Sequence, residues 1–179
     1  MGKKIYFANG LFSAADIMFN NYCWDRLIEA GIDPADIYMP QKNAAINDKS
    51  ASATSLPIYE GDTERLKEAD ILIAVLDGVS IDAGVASEIG WVAGWNEMLD
   101  TADIWPMGVW DKKVIIGVYT DSRDFSKTMN DNKNNESLKA GLAESQYDYK
   151  NLYTVGCCKK YGTVVGSVDE LIDTIVKYL

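Results

Sequence analysis

The stretch Leu76-Asp77-Gly78-Val79-Ser80-Ile81-Asp82-Ala83-Gly84-Val85-Ala86-Ser87-Glu88-Ile89-Gly90 brings three carboxylates, Asp77, Asp82 and Glu88, to the end of an apolar run. The chain has no histidine. That absence excludes Ser-His-Asp triads, Cys-His pairs, the HExxH zinc helix and most catalytic zinc sites. Acid–base or nucleophilic chemistry then falls to carboxylates, tyrosine, lysine or cysteine. Asp82 is placed to cap a following helix, its oxygen meeting orphan amides. Glu88, six residues on at about 100° each, turns some 600° and does not share a helical face with position 82. The two converge only if Asp82 lies in the loop and folds back over the helix start. Ala83, Gly84, Ala86, Ser87 and Gly90 surround Glu88 with small side chains, which let a helix approach the sheet and a ligand approach the backbone. Two readings of Glu88 stand: a solvated helix residue, or a carboxylate in the partly buried stripe of Val85, Ala86 and Ile89. In the second case it is paired or functional.

The other candidates are more ambiguous. Tyr6 lies inside KKIYFA and reads by default as core; Phe12, in Asn9-Gly10-Leu11-Phe12, reads as core or as a ring that stacks on a flat ligand. A single glycine there makes no GxGxxG fingerprint, and no GxxxxGK[ST] phosphate loop occurs. Asp62 reads as the cap of a short helix. Asp121 and Arg123 are an ion pair or part of a site rim. Trp91 and Trp95, at i,i+4, point to helix packing or subunit contacts. Cys23, Cys157 and Cys158 are odd in number and contain no CxxC, which favours idle thiols in a reducing compartment over a redox pair. Lys159-Lys160 is a basic pair able to meet a phosphate.

Strands and helices alternate to position these residues. Strands are expected at 3–8 (KKIYFA), 37–39, 71–76 (ILIAVL), 114–119 and 152–155. The most apolar of them, 71–76, should be central and buried on both faces. Ser13 starts a helix with Asp16 at the capping-box position; Ala15, Phe19, Tyr22, Cys23 and Leu27 share one face and Gly31 closes it. Further helices are expected at 62–69, 84–99, 134–145 and 167–179, the last with Ser167 and Glu170 as a capping box. Residues 41–57 read as a surface loop, and 100–113 as an irregular excursion. This alternation implies an α/β protein with a doubly wound, mainly parallel five-stranded sheet. Ligands of such sheets bind outside the carboxyl ends of the strands. Residues after Ala8, Met39, Leu76 and Tyr119 should therefore line the site.

The 179 residues suit one domain, and 47% hydrophobic residues suffice for a core. A net charge of −10 argues against a nucleic-acid polymer as partner and for small neutral or cationic ligands. No apolar run approaches the ~18 residues that a membrane span needs, and no signal-peptide pattern opens the chain, so a soluble cytoplasmic protein is expected.

In order along the chain, KIYFANGLFS, YMPQ, the Asp62-to-Asp70 pair, LDGVSIDAGVASEIG and NLYTVG resemble the nucleoside 2-deoxyribosyltransferase family. The resemblance implies a flavodoxin-like fold and a homo-oligomer whose subunits complete each other's sites. It implies Glu88 as nucleophile, Tyr6 as the group orienting it, Asp62 as proton donor to the base and Asp82 as the sugar-hydroxyl ligand. Phe12 would stack on the base, Gln41 and Asn43 would fall in the base-contacting region, and Asn151 with Tyr153 would reach a neighbouring subunit's sugar. The partners implied are a nucleoside and a nucleobase, with no metal or redox cofactor. Two alternatives remain: an N-glycoside hydrolase of deoxynucleosides or their 5′-monophosphates, and a non-catalytic nucleotide-sensing module.

Overall fold

In a computed structural model, residues 2–43, 54–101, 111–121 and 150–179 are described. The expected helix at 134–145, Arg123, the middle of the 41–57 loop and most of the 100–113 excursion lie outside them.

Five strands form one parallel sheet: β1 (Ile5–Ala8), β2 (Ile37–Tyr38), β3 (Ile71–Val75), β4 (Val114–Val118) and β5 (Gly162–Val165). Their order is β2-β1-β3-β4-β5, the flavodoxin-like doubly wound arrangement. Strand alternation sends successive side chains to opposite faces, and both faces are covered. Ile5, Phe7, Ile71, Ile73 and Val75 pack toward α1 (Ala14–Glu29) and, through Leu171 and Ile175, toward the C-terminal helix Val168–Ile175. Tyr6, Ala8, Leu72, Ala74 and Leu76 pack on the opposite face. There they meet α2 (Ser55–Glu68), α3 (Ala83–Thr101) and α4 (Leu152–Tyr161); the C-terminal helix is α5.

Helix starts follow side-chain caps. Ser13 Oγ accepts from Asp16 N at 3.0 Å, and Ser167 Oγ accepts from Glu170 N at 3.1 Å. Glu170 returns the bond through Oε2 to Gly166 N at 2.7 Å, one residue earlier than a strict capping box. Gly31, at φ 89°, takes the left-handed turn that ends α1. The buried face of α1 is Phe19, Asn20, Cys23, Trp24 and Leu27, whereas Ala15 and Tyr22 face solvent. The face is rotated because Asn20 is held inside by hydrogen bonds.

Two sequence expectations need correction. First, α2 begins at Ser55, not at position 62, so Asp62 lies inside the helix and caps nothing. Pro57 does not break this helix, because it sits in the first turn, where a missing N–H costs no hydrogen bond. Second, 152–155 is the first part of α4 and not a strand. Asn151 Oδ1 accepts from Thr154 N at 3.1 Å, an N-cap that outweighs the β preference of Tyr153, Thr154 and Val155. The last strand is Gly162–Val165.

Gly162 sets how closely β5 approaches β4. A Cβ there would lie 1.9 Å from Ile115 O and 2.8 Å from Ile115 C, both backbone atoms. Gly162→Ala is therefore expected to destabilise the fold by about 3 kcal/mol, read as a lower urea midpoint. An unchanged midpoint would show that the strand edge relaxes freely.

The far ends of α2 and α3 are pinned together through buried Lys113. Its Nζ donates to Lys67 O at 2.9 Å and Ala69 O at 2.5 Å, where a cation meets the negative end of α2. Asn96 of α3 exchanges two bonds with the Lys113 backbone, at 2.8 and 2.9 Å. At the carboxyl end of the sheet, Asp77 accepts from Thr120 N at 2.7 Å and from Thr120 Oγ1 at 2.6 Å, fastening the β3–α3 loop to the end of β4. Lys150 Nζ donates to Gly78 O in the same loop. Thus Asp77 is a structural tie and leaves the acidic trio of the sequence.

Candidate active site

Neighbouring strands β1 and β3 carry chains that wind in opposite directions across the sheet, which makes the gap beside them the switch point. Tyr6 of β1 is fully buried, on the face covered by α2 and α3. Its hydroxyl donates to Glu88 Oε1 at 2.5 Å. Glu88 sits in the second turn of α3, half-buried between Val85 and Ile89. The partly buried reading of Glu88 therefore holds.

Asp62, from the middle of α2, joins this pair. It too interacts with the Tyr6 hydroxyl, and it accepts from the Tyr38 hydroxyl through Oδ1 at 3.1 Å. Tyr38 is paired in register with Tyr6 across β2 and β1, the rings 5.1 Å apart and tilted by 47°. Asn43 Nδ2 donates to the Tyr38 hydroxyl at 3.3 Å. The Arg65 guanidinium lies 5.5 Å from the centre of the Tyr38 ring. A carboxylate–phenol–carboxylate–phenol chain results, supplied by α3, β1, α2 and β2.

Electrostatics follow from that crowding. Burial, reinforced by the negative charges of Asp62 and Asp82, pushes the Glu88 carboxyl up to about 7 against the Tyr6 hydrogen bond. Burial likewise raises Asp62, opposed by the hydrogen bond from Tyr38 and by the neighbouring Tyr6 hydroxyl. Tyr6, buried and beside Glu88, is pushed far upward and stays a hydrogen-bond donor. The Asp62 charge acts on Glu88, so the two carboxyls are electrostatically linked.

Asp82 precedes α3, and its Oδ1 accepts from Gly84 N at 2.8 Å and Val85 N at 3.2 Å. It is the expected cap, and from there its charge reaches Glu88. Phe12 is 86% exposed, so it is no core residue. Gln41 is held by Asn20 Nδ2 at 2.8 Å and itself donates to Asn21 Oδ1 at 3.0 Å. Asn20 is buried, donates to Gly10 O at 3.0 Å and accepts from Asn9 at 2.7 Å, so this network braces the Gly10–Phe12 turn against the Pro40–Lys42 turn. Asn151 caps its own helix and Tyr153 is 79% exposed; among the described residues, neither touches the Glu88 chain.

Other sequence candidates fall away from the site. Trp91 and Trp95 stack on each other at 5.4 Å, and Trp95 Nε1 donates to Asp111 O at 3.3 Å. The three cysteines are buried free thiols, with burial pushing Cys23 and Cys158 up to about 12. Lys160 pairs with Glu97, nine residues beyond Glu88 and so about 13 Å further along α3. That places it well away from the Glu88 chain.

Sequence reasoning missed Tyr38. Its signal was present, since Tyr6 and Tyr38 are both tyrosines on parallel strands that end at the predicted site, and YMPQ was singled out as a motif. What hid it was the unknown register, which alone brings the two rings together.

Fold and site define an α/β protein of the flavodoxin-like class with a carboxylate-and-tyrosine centre at its switch point. The chain belongs to the nucleoside 2-deoxyribosyltransferase family, whose sequence model matches residues 5–153. It is similar, at 40% identity over the whole of both chains and a TM-score of 0.75, to a solved structure described as a conserved protein from Enterococcus faecalis V583. No curated protein matches the chain. The family acts on nucleosides and nucleobases, which are small molecules. Among the described residues, no helix is long and apolar enough to cross a membrane.

Proposed function

We propose that this chain transfers 2-deoxyribose from one nucleobase to another by double displacement on Glu88. The observation that carries the reading is the 2.5 Å hydrogen bond from Tyr6 to Glu88 Oε1, with Asp62 on the same phenol. Tyr6 occupies one carboxylate oxygen and leaves Oε2 to attack the anomeric carbon. As that C–O bond forms, the N-glycosidic bond breaks and its electron pair goes to the base nitrogen. Protonated Asp62 supplies the proton that the departing base needs. The incoming base then attacks the same carbon, Glu88 leaves as a carboxylate, and the acceptor's proton returns to Asp62. Two inversions give retention, as in retaining glycosidases. Without a 2′-hydroxyl the sugar reaches an oxocarbenium-like transition state more readily, which favours deoxynucleosides.

Asp82 spends Oδ1 on its helix cap, and its other oxygen accepts from a sugar hydroxyl in this reading. An aspartate at that point repels a 5′-phosphate, and Lys160 is tied to Glu97 far from Glu88, so a free nucleoside is the substrate. Phe12 stacks on the base, Gln41 shapes the loop beside it, and Asn151 with Tyr153 complete the site of a neighbouring subunit in a homo-oligomer. Neither a metal nor a redox cofactor takes part in these steps.

Deoxyinosine incubated with adenine is expected to give deoxyadenosine and hypoxanthine. Free hypoxanthine released at the same rate without adenine, and no deoxyadenosine with it, would replace transfer by hydrolysis. Ligand binding with neither product would leave a sensing module.

A further inference from the structure

We propose that Tyr38, aligned by Asn43, is a positioning residue that fixes which oxygen of Asp62 carries the transferable proton and strengthens Asp62 as an acid. The inference rests on the role given to Asp62 above. A hydroxyl has one hydrogen to give and lone pairs to receive. Asn43 Nδ2 donates to the Tyr38 oxygen at 3.3 Å, which turns the Tyr38 hydrogen toward Asp62 Oδ1 at 3.1 Å. With Oδ1 engaged as acceptor, the proton of neutral Asp62 resides on Oδ2, the oxygen that Tyr38 does not engage. When that proton departs, the new negative charge on Asp62 appears against a donor already in place. Such a contact is stronger in the transition state than in the ground state, and it costs no reorganisation.

The ring of Tyr38 does not need its hydroxyl for packing. Its contacts with Tyr6 and with Arg65 are made by the ring face. Arg65 also pairs with Glu68 at 2.9 Å. The groups that face Asp62 are Tyr6 from β1, Tyr38 from β2, Glu88 from α3 and, on its own helix, Arg65 behind the Tyr38 ring. Of these, Tyr38 is tied to Asp62 and Asn43 and makes no described hydrogen bond to Glu88. Removing its hydroxyl should therefore act on the acid and leave the nucleophile in place.

Tyr38→Phe keeps the ring and deletes the donor. A hydrogen bond to the ionised form holds a carboxyl down, so its loss should raise the Asp62 titration by about one pH unit. Titration of 13C-labelled Asp62 carboxyl by NMR, in the wild-type and variant chains without substrate, reads this directly. In transfer assays the alkaline limb of kcat/KM should move up by a similar amount, while the plateau kcat falls about tenfold. A residue that served only the fold would lower both activity and melting temperature and leave the limb where it was. An Asp62 titration unmoved in Tyr38→Phe overturns the proposal, as does a moved titration with an unmoved limb. Should Tyr38→Phe fail to fold, Asn43→Ala loosens the same relay from its other end, with a smaller shift of the same sign expected and an unmoved titration overturning it. A wild-type chain that neither transfers nor hydrolyses defeats the functional reading instead, and the carboxyl titration still decides the role of Tyr38.

Discussion

Glu88→Gln is expected to abolish deoxyribosyl transfer, lowering kcat by about 10⁴-fold or more, because in the proposed mechanism the Glu88 carboxylate forms the glycosyl bond. Glutamine keeps the shape and an oxygen that accepts from Tyr6, so the bond at Oε1 survives while the nucleophilic charge does not. The same substitution should make the protein more stable at pH 8. The Glu88 carboxyl, about 7 in the fold against 4.5 in an ordinary setting, is neutral in both states below 4.5. Between 4.5 and 7 the unfolded chain has lost its proton while the folded chain keeps it, so stability falls as pH rises through that window. Above 7 the fold carries a partly desolvated charge that costs on the order of 2 kcal/mol once solvent screening is allowed for. Glutamine lacks that charge, and the gain in melting temperature should vanish at pH 4. Mass spectrometry of the wild type with deoxyinosine alone should show the chain carrying one deoxyribosyl unit, and the variant none. Undiminished deoxyadenosine formation by Glu88→Gln would remove Glu88 from the centre of the reaction.

The fold was legible where one physical signal dominated. Continuous apolar runs at Ile71–Val75 and Val114–Val118 gave buried parallel strands, and Ser13 and Ser167 gave helix starts because each has a short polar side chain before an amphipathic run. It failed where two signals competed. Leu152 to Val155 has β-favouring residues, and an asparagine cap overruled them. Ser55 to Pro57 falls in the expected loop, yet Pro57 is tolerated in the first turn of α2. The error mattered for the site, since it turned Asp62 from a mid-helix carboxylate into an apparent cap. Glu88 stands out in its apolar stripe, whereas Tyr6 and Asp62 enter as site residues only through the family resemblance, and the point where the three meet cannot be read from spacing. Three different elements bring them together, and only the register of β1 with β2 adds Tyr38. Asp77 misled in the opposite way: it stands among the acids in sequence, but a local tie to Thr120 consumes it.

Asp62→Asn should separate departure of the base from binding of the sugar. Asparagine can still accept from Tyr38, and its volume matches, so α2 and the pocket wall stay as they are. What disappears is the transferable proton, and general acid catalysis of this kind is worth about 10²- to 10⁴-fold. The expected result is a kcat for deoxyinosine reduced by about 10³-fold with a KM changed far less. The loss should depend on the leaving group. A base made electron-poor by substitution departs as a stabilised anion, needs the proton less, and should recover most of the lost rate in the variant. The pH profile gives a second reading. In the proposed mechanism protonated Asp62 is the active form, so wild-type activity declines as pH rises through its raised titration. The asparagine variant should lose that decline, and its Glu88 limb should move down because the Asp62 charge no longer raises it. An equal loss across good and poor leaving groups, with the alkaline limb intact, would mean that another group protonates the base. Asp62 would then serve only to hold up the Glu88 carboxyl through its charge.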